Sequence, residues 1–430
     1  MAQRPTYDLL VAGADAAGFA AAAAAQRLGA SAVIVSTGCE PRAAGSQPSP
    51  PNFVWRLLEL HRFDLKAADA GATRTHLAEG EEIATVPDAG KTARLLAARD
   101  PALEYCWPDF IEAMAREKAR DWPPADDRGR KGALLGLALG DAPYSAAIGV
   151  LDDRFADDGL KTHLLMTALA PLGLAGDEPG SARALFDIAS ADPVQRVDAE
   201  ALAEALAACA KDAGAVLETG KLLRLAREGE RLWSAKFEDG SEVRAARVLA
   251  STALGAEAAG YLIDAGGSPL RRQAGAEAAI RLRYARKPRL KTGESKGLHH
   301  IAADSRALSR ARDAMLEGRI DDAMPLSFEI RGREIVARAA YAPAMIRENG
   351  GMRDWTGQDL QILGRMAAAA IGRRLDPACG APQSIDASLG ADVAAGLRQR
   401  DFGGAKLPAP APSADAVGAA AALAMALVKP

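Results

Sequence analysis

The residues best placed to do chemistry stand near the start of the chain, in "VAGADAAGFAAAAAAQRLGASAVIVS", Val11 to Ser36. Gly13 and Gly18 hold the outer positions of a G-x-G-x-x-G turn, a pattern whose backbone N–H groups donate to a pyrophosphate where a helix begins. The middle glycine, which lets the backbone approach the phosphates, is replaced by Asp15, between Ala14 and Ala16. A carboxylate about 4 Å from a phosphate charge opposes it by roughly 4 kcal/mol at an effective dielectric of about 20. The same carboxylate can accept from the unpaired N–H groups of the first helical turn. Asp15 is therefore read as an internal cap that stands in for a phosphate.

Other chemistry is sparse. The sequence has no Ser-His-Asp order, paired-carboxylate motif or activated cysteine. His299-His300 has no Cys or H-x-x-x-H partner at ligand spacing, so no metal is expected. The pair is read as part of a surface loop, with an acid–base role as the alternative. Cys39, Cys106, Cys209 and Cys379 form no C-x-x-C pair, which argues against a disulfide scaffold and for a reducing, cytoplasmic setting. The chain has 430 residues, a formal charge of -3 and only 5% aromatic residues, so no nucleic-acid partner is expected. No uncharged stretch reaches the ~18 apolar residues of a transmembrane segment.

The elements that must position the glycine turn are clear. "YDLLVA" suits a buried parallel strand, "AGFAAAAAAQRLGA" an alanine-rich helix ending at Gly29, and "SAVIVS" a second strand. "TGCEPRAAGSQPSPPN" breaks regularity as a loop, and Phe53 to about Ser190 reads as mostly helical. "DAEALAEALAACAKDAGA" predicts an amphipathic helix with Asp198 as N-cap and Gly214 closing it. After it come strands and a hairpin turning at Asp239-Gly240, with a further β-rich region over 277–345 that turns at Arg331-Gly332. The tail, "KLPAPAPSADAVGAAAALAMALVKP", reads as a proline-rich connector and a last helix packed on the N-terminal sheet.

This order of elements resembles the FAD-dependent oxidoreductases of the phytoene dehydrogenase-like group, relatives of the amine oxidases. The resemblance is carried by "YDLLVAGADAAGFAAAAAAQRLGASAVIVS" and by "DAEALAEALAACAKDAGAVLETGKLLRLAREGERLWSAKFEDGSEVRAARVLAST". It implies an α/β chain with a Rossmann-like FAD/NAD(P)-binding fold and a second β-sheet-plus-helix, substrate-like domain. The dinucleotide-binding domain would take 1–50 and 191–260, with a mainly helical substrate-like region at 51–190. A substrate-like sheet would follow at 261–385 and a C-terminal return with the final helix at 386–430.

Where the resemblance implies FAD contacts, four positions depart together. Asp15 fills the glycine site, and Ser36 stands where an acidic residue would bind the ribose. "CEPRAAGSQ" lacks the glycine pair, and "PSADAVGAAAALAMA" lacks the P-G-G stretch. Losing charge-assisted ribose bonds removes about 1.5–3 kcal/mol more.

The reading is of a divergent flavoprotein-fold protein that takes no cofactor in the family's mode and acts as a binding, accessory or assembly protein in a biosynthetic pathway. The alternative is an FAD-dependent oxidoreductase acting on a hydrophobic or cyclic small molecule. NADP is a third possibility, because Ser36 and Arg42 are residue types that accept a 2′-phosphate. The expected partners are a second copy or another protein, or a small hydrophobic ligand. The cofactor-facing positions are Gly13, Ala14, Asp15, Gly18 and Ser36. The former cleft is expected to be narrowed by "CEPRAAGSQPSPP" or by Leu407–Pro412.

Overall fold

Strand Thr6–Ala12 and strand Ala32–Val35 pair in parallel at the centre of a six-stranded sheet. Val216–Glu218 extends this sheet at one edge, and Glu242–Ala250 lies parallel to Thr6–Ala12 on the other side. Leu232–Phe237 and Leu222–Glu228 complete it antiparallel. Alternation sorts the central residues into two cores: Leu9, Val11 and Ile34 face the helices, while Leu10, Ala12, Val33 and Val35 meet Leu222, Leu225 and Phe237. Both faces being covered, Leu9–Ala12 and Ala32–Val35 are apolar throughout rather than alternating. The hairpin turns at Asp239-Gly240, where Gly240 has φ +77°.

The computed structural model describes residues 6–36, 45–78, 80–121, 145–189, 195–220, 222–228, 232–250, 275–343, 345–389, 401–402, 405–406 and 416–428. The expected proline-rich narrowing at Leu407–Pro412 and the Cys39–Ala44 part of the loop, Arg42 included, lie outside them.

The helix Ala16–Arg27 explains the abundance of alanine. Ala20 to Ala25 are each 0% exposed, so this helix is buried on every side. It is packed among the sheet, the helix Ala199–Asp212 and the last helix, Ala416–Val428. The last helix thus rests chiefly on a helix rather than directly on the sheet. Side chains of one carbon let these helices approach closely, and larger residues would overfill the space. The first helix closes with a paired C-terminal turn, Gly29 N–H to the Gln26 carbonyl at 2.9 Å and Ala30 N–H to the Ala25 carbonyl at 3.1 Å. The helix Ala199–Asp212 begins as expected, with Asp198 accepting from Ala201 N–H at 2.9 Å.

The second sheet has seven strands, in the order Ser384–Leu389, Gly275–Arg283, Glu334–Pro343, Leu326–Arg331, Gly297–Ile301, Ala72–His76 and Glu82–Thr85. Only the contact between Gly297–Ile301 and Ala72–His76 is parallel. One face packs on the helix Gly357–Gly372 through Ile280, Phe328, Leu363 and Ala367. The other meets a helical region that includes Ala89–Ala97, Leu103–Asp121 and Asp158–Ala168. A three-stranded sheet, with Gln195–Asp198 between Ser46–Pro48 and Ala67–Asp69, joins the two parts.

The stretch read as mostly helical from Phe53 therefore also supplies strands. "AADAGATRTHLAEGEEIAT" forms short strands, and one of them, Ala72–His76, is buried without strict alternation, so periodicity does not reveal it. Among the described residues, no helix is long and apolar enough to cross a membrane.

Candidate functional site

The glycine turn lies between the first strand and the first helix. Gly13 has φ +117° and donates its N–H to the Val35 carbonyl at 3.0 Å. A β-carbon on Gly18 would sit 2.0 Å from the Gly13 carbonyl oxygen, so only glycine fits there. Both surviving glycines thus have a steric reason to be present, whatever they bind. Ala14 is half-buried against the helical core.

Asp15 is the N-cap residue, in extended conformation, and its Oδ1 accepts from Gly18 N–H at 2.7 Å. Its carbonyl accepts from Phe19 N–H at 2.9 Å. The carboxylate therefore occupies an amide at the positive end of the helix, which in a working dinucleotide turn faces phosphate. Ser36 follows the second strand and donates its N–H to the Glu218 carbonyl at 3.0 Å. Asp15 Oδ1 thus already holds the Gly18 amide, one of the N–H groups that a pyrophosphate would meet at a helix start.

Between the joining sheet and the seven-stranded sheet lies a group of ion pairs that sequence reading missed. Arg331 binds both Asp198 and Glu329, and Arg196 faces Glu329 at 3.6 Å. Arg281 reaches Glu200 at 2.6 Å, so strand residues grip the first turn of the helix Ala199–Asp212 at two points. Within the seven-stranded sheet itself, Arg338 pairs with Glu277 at 3.6 Å, and its guanidinium lies 3.0 Å from where a β-carbon on Gly45 would be. Burial pulls the Arg196 pKa down, with Glu329 opposing that shift. Sequence spacing gave no sign of these contacts, since the partners in several pairs are over eighty residues apart.

The histidines are a correction. His299 and His300, read as loop residues, lie buried on the strand Gly297–Ile301. They point to opposite faces of the sheet, as neighbours on a strand must. His299 Nδ1 lies 3.3 Å from His76 Nε2, and its ring stacks on Phe328 with centroids 5.0 Å apart. His76 Nδ1 is 3.4 Å from Glu82. On the other face, His300 Nδ1 is 2.8 Å from Ser327 Oγ. His163 is held by Thr75 at 2.8 Å and Thr85 at 2.9 Å, one hydroxyl at each ring nitrogen.

Burial pushes the His163 pKa down to about 4. Burial, reinforced by His76, pushes His299 down to about 3. His300 is driven well below its ordinary value, first by burial. These are neutral imidazoles that hold strands in register, and at neutral pH they are poor proton acceptors. Among the described residues, no three His, Cys, Asp or Glu side chains form a metal-binding group.

Comparison with solved structures places this architecture. A putrescine oxidase triple mutant superposes with TM-score 0.57 at 14% identity, over 99% of this chain and 98% of that one. Cyclohexylamine oxidase from Brevibacterium oxydans gives 0.52 at 15% identity, over 99% of both chains. The fold is that of the amine oxidase-like flavoproteins. A Rab GDI from Plasmodium falciparum is also similar, with TM-score 0.50 at 8% identity over 95% of this chain and 94% of its own. The flavoprotein fold is thus present along nearly the whole chain while sequence identity is very low. No family model and no curated protein matches the sequence.

Proposed function

We propose that this chain is a flavoprotein-fold binding or accessory protein of a biosynthetic pathway that does not hold FAD in the usual mode. The observation that carries this reading is the 2.7 Å bond from Gly18 N–H to Asp15 Oδ1. Phosphate would have to displace a bonded carboxylate and then lie beside its charge. With weakened ribose recognition at Ser36, the combined penalty turns a nanomolar site into one of roughly tens of micromolar or weaker. The ion pair of Arg331 with Asp198 supports the same reading, since it ties together parts that a long cofactor bridges in this fold.

A second reading, an FAD-dependent oxidoreductase acting on a hydrophobic or cyclic small molecule, is favoured by a different observation. The structural neighbours include a putrescine oxidase and a cyclohexylamine oxidase, matched over 99% of this chain. Fold alone leaves function to the site. The visible absorbance of the purified protein separates the two. A colourless preparation that releases no flavin on denaturation is expected, whereas near-stoichiometric FAD would make the oxidoreductase reading the correct one.

A further inference from the structure

A cleft of about 340 Å³ opens between the joining sheet and the seven-stranded sheet, with Lys66 and Asp69 on one wall and Lys296 on another. Its volume is in the range that holds a small molecule. Four of the charged groups that line it largely neutralise one another: Arg331 binds Asp198 and Glu329, and Arg196 faces Glu329 at 3.6 Å. Asp198 is further engaged by the helix it caps, accepting from Ala201 N–H at 2.9 Å. The two lysines differ. Lys66 and Lys296 are exposed and have no ion-pair partner among the described residues.

Backbone geometry fixes where both lysine side chains start. Lys66 immediately precedes the strand Ala67–Asp69, which is paired residue for residue with Gln195–Val197. Lys296 precedes Gly297, which pairs with Ala72 at φ +116° and has no room for a side chain on that side. The lining holds four cations and three carboxylates in a chain whose formal charge is -3. The surplus is positive, and it comes from the exposed Lys66 and Lys296, set against the single exposed carboxylate of Asp69.

We infer that this cleft binds an anionic small molecule, carrying a carboxylate or a phosphate between Lys66 and Lys296 and turning a hydrogen-bond donor towards Asp69. The site is distinct from the glycine turn, and the inference holds whether or not that turn takes flavin.

The test is calorimetric titration of the intact protein with inorganic phosphate and, separately, with succinate, at low and moderate salt. Saturable binding of at least one probe is expected, weakening as salt rises and falling about tenfold or more in a Lys66→Ala/Lys296→Ala double variant. Both lysines are exposed, so the variant should fold, and an unchanged melting temperature without ligand checks this. Phosphate-only binding would assign a phosphorylated ligand, and succinate-only binding a carboxylic acid. Absence of saturable binding by either probe, or equal binding by the double variant, would overturn the inference.

Discussion

At the scale of single residues, Asp15 caps the first helix from within the glycine turn. The turn keeps the glycines that its geometry needs, and the carboxylate satisfies the helix start from within. Asp15→Ala should lower stability by about 0.5–2 kcal/mol, seen as a lower denaturant midpoint with unchanged slope. Asp15→Gly should lower it by only a few tenths, and should not by itself restore flavin binding, because Ser36 and the later segments stay as they are. An alanine variant as stable as the parent would refute the capping role.

At the scale of elements, two packings make separate predictions. The first helix admits no bulk, since Ala21 is 0% exposed in the core that includes the last helix. Ala21→Leu should destabilise by about 1–3 kcal/mol. It should also speed hydrogen exchange in Ala416–Val428, and a change confined to global stability would argue against direct packing between the helices.

The histidine-bearing strands respond to acid. The unfolded chain binds protons on His163 and His299 near their ordinary value of 6.5, while the folded chain resists them until about 4 and about 3. Their contribution is therefore complete above about pH 6.5 and lost progressively as pH falls through that window, at up to about 1.4 kcal/mol per pH unit for each group. Urea midpoints measured from pH 7 to pH 4.5 should fall accordingly. His299→Phe, which keeps a ring beside Phe328, should make the decline shallower.

At the scale of the whole molecule, the fold is that of the amine oxidase-like flavoproteins, and the ion pairs of Arg331 with Asp198 and Arg281 with Glu200 tie the seven-stranded sheet to the start of the helix Ala199–Asp212. An accessory role requires a partner, and we propose association through an apolar surface with a second copy or another protein. Light scattering on gently purified material should report a mass above that of the single chain, or a copurifying protein. A strict monomer with no companion would count against that role.

The sequence by itself determined the elements whose signals are local. The glycine turn, the capped helix at Asp198 and the hairpin at Asp239-Gly240 all depend on residues close together in the chain, where caps, turns and periodicity act. It also exposed Asp15 as a cap, because the donor it satisfies is three residues away. What only tertiary structure decided was the use of residues whose partners are distant. His299 became buried because its strand lies inside a seven-stranded sheet beside His76, a neighbour 223 positions earlier. Arg331 became a clamp because folding brought it to Asp198. Burial and long-range charge pairing are properties of the packed chain, and short-range spacing carries no record of them.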